Sequence, residues 1–412
     1  MKKNFFSTLP WLDKIQKSME GTPVPEHREV NGHIHTPYSF SAFDKLDTAF
    51  AMAKEEQIAV LGINDFYVTD GYDAFATGCL KNNIFPLYNI EFIGLLKEEQ
   101  KNGIRINDPN NPGRIYFSGK GLDTPFKPGW MTRRQMKKMI GESQSQIKAM
   151  IDKLNGLTAR VDPSLLITYE NVKSKFAEEL VRERHLAKAL RYLAEEKYST
   201  PEEQLHFIET LYGGKKSKAG MSNTAQLENE IRSNLLKAGG AAFVAEDENS
   251  FLPLRKIIKL ITEAGGIPCY PVLLDDPSGK CTEFEADAEI LHRKLSSLGV
   301  GCIELIPGRN DLSILKKFVE FFNNEGFVIL LGTEHNTPEL TPLTVTARGT
   351  APLDNSLKKI SWEGSCVVAA HQYLRAHQRQ GYMLSTGHPS KDQRDELVLI
   401  GRMVIEYYLN KR

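Results

Sequence analysis

The segment Asn31-Gly-His33-Ile-His35-Thr-Pro-Tyr-Ser39 carries two imidazoles at i and i+2 in an extended run. Successive side chains on a strand alternate faces, so His33 and His35 point the same way and can ligate one metal ion without moving the backbone. A pair of ordinary histidines is the competing reading of this spacing alone. Further polar residues fall at strand end after strand end, where β/α barrels and open sheets bind ligands. They are Asn64 and Asp65, Glu91 within Tyr88-Asn-Ile-Glu-Phe92, Tyr270, Glu304, and the run Thr333-Glu334-His335-Asn336. Buried charges require partners, so core packing does not account for such a series, and it reads as a mixed nitrogen and oxygen ligand set.

The elements that must position these residues follow a β/α rhythm. Apolar patterning predicts strands over 32–36, 58–63 and 84–96, with helices over 47–56 and 72–82 between them. A further extended pair, 103–106 and 114–118, flanks the turn-rich Asn107-Asp-Pro-Asn-Asn-Pro-Gly113. Strands alternating with helices imply a parallel sheet or a barrel. From about residue 129 the chain turns charged and helical over 132–154, 169–196 and 201–211, which reads as an insertion. It ends in Gly213-Gly-Lys-Lys-Ser-Lys-Ala-Gly220, either a solvated connector or a loop that meets an anionic substrate. The rhythm then resumes with strands over 241–245, 267–274, 301–306 and 327–332, and helices over 251–264, 286–298 and 312–323. Two helical patterns, 365–379 and 392–409, close the chain around a loop containing Gly387-His388-Pro389. The implied organisation is an N-terminal segment (1–29), a first barrel part (30–125), a helical insertion or cap (126–240), a second barrel part (241–345) and a C-terminal helical extension (346–412).

Composition narrows the functional classes. The 412 residues contain 52 Lys and Arg against 52 Asp and Glu, so no net field draws the protein to nucleic acid or a membrane. Five cysteines, odd in number and without CxxC spacing, argue for reduced thiols in a cytoplasmic setting and against a zinc ribbon. The N-terminal apolar run is interrupted by Pro10, Asp13 and Lys14, unlike a signal peptide, and no stretch is apolar enough to span a bilayer. The expected partner is a small, anionic molecule, with homo-oligomerisation left open.

In order and spacing, these motifs resemble the PHP (polymerase and histidinol phosphatase) superfamily over roughly residues 30–125 and 240–345. His33-Ile-His35 with Ser39 is similar to its first motif. Asn64-Asp65-Phe66 followed by Thr69-Asp-Gly-Tyr72 is similar to its second, and Asn89-Ile90-Glu91 to its third. Glu263-Ala-Gly-Gly-Ile267, Ile303-Glu304 and Gly332-Thr-Glu334-His335-Asn336 resemble later motifs, and Val181-Arg-Glu-Arg-His-Leu-Ala187 resembles an arginine–histidine helix between barrel halves. The resemblance implies a distorted (β/α)7 TIM-like barrel of PHP type and metal-dependent phosphoesterase chemistry. It implies a first metal site of His33, His35, Glu91 and Glu334, with His335 as an alternative to Glu334. The family's second-site ligands correspond here to Phe40, Phe66 and Asn336, and a third-site histidine to Tyr270, which leaves one metal rather than three.

One divalent ion held by imidazoles and carboxylates can polarise a substrate oxygen and lower the pKa of bound water. Mixed N/O ligation without thiolates suits Mn²⁺, Zn²⁺ or Fe²⁺. Asp65 is a candidate general base or orienting partner of a histidine, or else a turn residue. Arg309, Arg182, Arg184 and the lysines of 215–218 are the cations available to an anionic substrate, and His185 could reach it from the cap. His388 is ambiguous between structure and site. The leading reading is a phosphoesterase acting on a small phosphorylated metabolite or nucleotide. The alternatives are a metal-assisted lyase or isomerase of a sugar acid and a degenerate metabolite-binding relative; retention of four collinear ligands argues against the last.

Overall fold

The computed structural model describes residues 4–22, 25–276 and 278–410. Parts of the expected N-terminal segment (1–3 and 23–24), Pro277 of the second barrel part and the last two residues of the C-terminal extension lie outside the described residues.

Seven strands follow one another around a barrel in chain order: β1 (Val30–Ile34), β2 (Val60–Phe66), β3 (Phe85–Leu95), β4 (Arg114–Lys120), β5 (Ile267–Val272), β6 (Cys302–Leu305) and β7 (Val328–Leu331). Every residue of β1, β2 and β3 is buried, as expected of strands covered on both faces. The ring closes where β1 meets the turn after β7. Ile34 and Glu334 form an isolated parallel bridge, and the amide of His35 donates to the Glu334 carbonyl at 2.7 Å. The fold is a distorted TIM-like barrel. The distortion is β4, which runs antiparallel to both β3 and β5.

Helices α1 (Leu46–Glu55) and α2 (Tyr72–Asn82) follow β1 and β2. Between β4 and β5 come α3 (Trp130–Thr158), α4 (Tyr169–Phe176), α5 (Glu183–Lys197), α6 (Pro201–Leu211) and α7 (Thr224–Ile231). These helices enclose an apolar cluster of their own, including Leu154, Leu186, Leu190 and Phe207. Local chemistry sets their ends: α6 begins with a Thr200–Glu203 capping box and Pro201 in its first turn. The second half of the barrel adds α8 (Leu254–Glu263), α9 (Ala288–Ser297) and α10 (Leu312–Asn324), and two long helices, α11 (Asn355–Ala376) and α12 (Arg394–Asn410), complete the chain. Along α8, Leu254, Ile257, Leu260 and Ile261 are buried on one stripe, and Gly265 stops the helix with φ +76°. Among the described residues no helix is long and apolar enough to cross a membrane.

Several element boundaries differ from the sequence expectation. Residues 103–106 form no strand; Arg105 is instead drawn to Glu283, and Ile106 packs into the core as part of a loop. Residues 241–245 are also irregular, because Gly239 and Gly240 turn the chain and Ala242 bonds back to the end of the helical region at Leu235. Helix α11 starts ten residues earlier than its pattern predicts, at an Asp354 cap that accepts from the Leu357 amide. Asn64, Asp65 and Phe66 lie within β2, not in a turn beyond it.

Candidate metal centre

Side chains from β1, the residue just beyond it and β3 converge at the barrel mouth. His33 and His35 present Nε2 atoms 3.3 Å apart, and Oε2 of Glu91 lies 3.1 Å from His35 Nε2 and 3.9 Å from His33 Nε2. All three side chains are buried. One ligand atom from each falls within 4.8 Å of the others, a span one cation can bridge.

The opposite edges of both imidazoles are anchored. His33 Nδ1 donates to Glu304 Oε2 at 2.9 Å, and His35 Nδ1 donates to Ser39 Oγ at 3.3 Å. Ser39 in turn donates to Asp65 at 2.6 Å, so its oxygen is the acceptor for His35. These bonds place the ring protons on Nδ1 and leave both Nε2 lone pairs facing the common point, the arrangement metal-ligating histidines adopt. The Asn64 amide nitrogen sits 3.0 and 3.3 Å from the two nitrogens of His33, nearly equidistant and so in line with neither lone pair.

The fit to a cation can be tested on the donor count. Glu91 Oε2 is buried and accepts no hydrogen bond. A buried orphaned carboxylate oxygen beside two convergent lone pairs is costly, and a divalent ion satisfies all three. Electrostatics agree. Burial depresses His33, which Glu304 only partly offsets, and depresses His35 far below its ordinary value with Arg182 adding to the effect; both rings are held neutral, as ligands must be. Burial pushes the Glu91 carboxyl up to about 7, against the pull of His33. The residues fit a divalent ion bound through two nitrogens and one oxygen.

Glu304 is the hub beneath this cluster. It accepts from Lys120 Nζ at 2.5 Å, from Ser118 Oγ at 2.5 Å and from His33. Burial alone would raise it, yet Lys120 and His33 hold it well below the usual carboxylate range. Lys120, fully buried, also donates to Asn64 at 2.9 Å. Asp65 does not face the open side of the cluster. Its two oxygens accept from the Thr36 amide, the Thr36 hydroxyl and Ser39, and burial raises it to about 7. It therefore ties the turn after β1 to β2 and orients His35 through Ser39.

The remaining candidates are distributed as follows. Glu334 stands at the rim, ion-paired to Arg309 and accepting from Asn336 at 2.8 Å, outside the convergent trio. His335 is turned away: Nδ1 meets Thr333 Oγ1 at 2.8 Å, Nε2 meets the Thr341 carbonyl at 2.8 Å, and the ring stacks on Phe43. Both residues have positive φ, 67° and 54°, in the turn that closes the barrel. The tight turn sends the two neighbouring side chains to different places. His185 caps its own helix, accepting the Arg182 amide at 2.9 Å, and burial lowers it to about 3. Tyr270 alternates outward and donates to Glu285 at 2.7 Å. His388 lies beside Gly299, ahead of β6 and at the other end of the barrel. Lys215 and Lys216 bond within the insertion, to Asn234 and Glu209.

The insertion nevertheless reaches the mouth. A narrow cleft of about 50 Å³ is lined by Ser39, Phe40, Phe66, Arg182, Arg184 and Arg232, among others. Phe66 stacks on His35 at 4.6 Å between centroids and carries the Arg182 guanidinium 4.4 Å from its own. Phe40 carries Arg184 at 5.6 Å.

No family model matches the sequence, and no curated protein matches it. Solved structures share its fold, two of them as follows. One is a candidate metal-dependent phosphoesterase from Bifidobacterium adolescentis, with a TM-score of 0.54 over 82% of this chain and 96% of that one. The other is an amidohydrolase from Chromobacterium violaceum with bound sulfate and no metal, with a TM-score of 0.50 over 81% and 96%. Both are 13% identical to this chain, so the likeness is one of fold.

Sequence reasoning missed Lys120 and Ser118. Searching the carboxyl ends of parallel strands passes over both, because β4 runs the other way and brings them in beside β5. The available signal was a lysine closing the apolar run Ile115-Tyr-Phe-Ser-Gly-Lys120, which can be buried only against a carboxylate.

Proposed function

We propose that the protein is a metal-dependent hydrolase of PHP type that cleaves a small phosphorylated metabolite or nucleotide at a single divalent ion. The observation that carries this reading is the convergence of His33 Nε2, His35 Nε2 and the unbonded Glu91 Oε2. A bound Mn²⁺, Zn²⁺ or Fe²⁺ there would polarise a phosphoryl oxygen and lower the pKa of a water ligand. The fold shared with a candidate metal-dependent phosphoesterase supports the same reaction class.

The protein's own residues supply the rest. Glu304 and the Ser39–Asp65 pair keep both imidazoles in the ligating tautomer. Arg309 stands beside Glu334 at the rim, able to exchange that carboxylate for a substrate anion. Glu334, so released, is the candidate fourth ligand. Phe66 and Phe40 stand where the family resemblance places further ligands, which favours one ion over three.

The test is elemental analysis of the purified protein beside His33→Ala, with a phosphate-release screen of small monoesters in added Mn²⁺ or Zn²⁺. One ion per chain, absent in the variant, together with phosphate release is expected. Two or three ions per chain, or a silent screen with the ion bound, defeats the proposal.

A further inference from the structure

The cap presents more positive charge than it balances. Arg182, Arg184 and Arg232 meet around one carboxylate, Glu183, which Arg232 engages at 2.8 Å and Arg182 approaches at 3.8 Å. Burial opposes ionisation of Glu183, yet the surrounding arginines and Lys237 hold it far below its usual range. Arg184 donates to the neutral Asn229 at 2.9 Å, and burial with the neighbouring Arg232 pushes it down to about 10 against the pull of Glu183 and Glu339. Guanidinium groups crowded in a half-buried cleft are stabilised by an anion, and their planar donors suit phosphate oxygens.

Their mounting is specific. Phe66 is pinned between the histidine just past β1 and the cap, stacked on His35 and faced by Arg182. Phe40, held with φ 126°, faces Arg184 and packs edge-on against His185. Neither ring can ligate a metal, and each presents its electron-rich face to a cation. Two of the positions where the family resemblance would place metal ligands thus carry guanidinium groups instead.

We propose that Arg182 and Arg184, mounted on Phe66 and Phe40, form a phosphate dianion seat that supplies fixed positive charge where a second metal ion would otherwise stand. The seat recognises a terminal phosphate monoester over a diester, because two bidentate cations complement two negative charges. As a description of substrate it rests on the hydrolase reading; as an anion site it does not need the metal.

The experiment is calorimetric titration of inorganic phosphate into chelator-treated full-length protein, with Mn²⁺ titration run separately on each variant. Wild type is expected to bind phosphate without metal. Arg182→Gln and Arg184→Gln should each weaken it by about tenfold or more, the loss of a charge-assisted contact. Lys215→Gln, in the insertion loop, should leave it unchanged, as should all three substitutions for Mn²⁺ stoichiometry. Glu183→Gln, which removes the carboxylate the arginines surround, should tighten phosphate, and it decides the matter if an arginine variant fails to fold. Unchanged phosphate affinity in both arginine variants, weakening in Glu183→Gln, or phosphate binding that requires Mn²⁺ overturns the seat. Phosphate binding without any Mn²⁺ binding would retain the seat and defeat the hydrolase reading; Mn²⁺ binding without phosphate does the reverse.

Discussion

His33 donates its Nδ1 proton to Glu304 at 2.9 Å across 271 positions of sequence. That bond makes β6 a determinant of how β1 meets a metal, although Glu304 is not itself among the converging ligand atoms. The same Glu304 oxygen accepts Lys120 at 2.5 Å, so the orientation of one imidazole depends on a buried ion pair.

Glu304→Gln should weaken divalent-ion affinity by about 10- to 100-fold, the usual cost of losing a carboxylate behind a ligating histidine. Lys120→Met should destabilise the fold by about 3–5 kcal/mol by leaving Glu304 buried with too few partners. Replacing both, Lys120→Met with Glu304→Leu, should regain much of that stability while metal affinity stays low. Urea unfolding and Mn²⁺ calorimetry on the three variants check this, and parallel losses in stability and affinity throughout would contradict it.

Asp65 acts at the turn and through Ser39, so its removal should separate two effects. Asp65→Ala leaves the Thr36 amide and two hydroxyls without their acceptor and should cost about 1–3 kcal/mol of stability. Ser39→Ala should cost less stability but still lower metal affinity, because His35 loses the acceptor for its Nδ1 proton. A Ser39→Ala protein with wild-type metal affinity would remove Ser39 from this role.

The contribution of His371 to stability should fall on acidification below neutrality. His371 donates Nε2 to the Gly265 carbonyl at 2.7 Å and accepts the Tyr382 amide at Nδ1, and burial lowers it from 6.5 to about 4. A depressed folded-state pKa contributes stability that is present above 6.5 and lost as pH falls toward 4. The contribution is about 3 kcal/mol when fully expressed. Urea unfolding at a series of pH values between 7.5 and 4, compared for wild type and His371→Gln, should show about that much less acid sensitivity in the variant. Identical slopes would count against it.

Helix α11 lies directly on β7. A Cβ on Gly364 would stand 1.9 Å from the Ile329 carbonyl oxygen, a contact with backbone that no side-chain rotation relieves. Gly364→Ala should therefore cost about 3 kcal/mol or more, read as a lowered urea midpoint, whereas Gly141→Ala, with open space at its Cβ, should cost nothing or stabilise α3.

Some of this was legible in the sequence because strand periodicity is a local property. Alternation alone put His33 and His35 on one face, and the β/α rhythm indicated a parallel sheet or a barrel, with the family resemblance pointing to the barrel. Asp65 could be read as an orienting partner, though only the fold shows that its link to His35 runs through Ser39. The direction of β4 could not be read, since a strand's pattern is the same whichever way it runs. With that direction unknown, Lys120 and Ser118 stayed hidden. The choice between Glu334 and His335 was equally closed, because two consecutive positive-φ residues, not spacing, set where each side chain goes. Local pattern thus fixed which residue types could do chemistry. Tertiary closure decided which atoms meet, because a shared point between β1, β3 and β6, roofed by an inserted cap, exists only once hundreds of residues have packed around it.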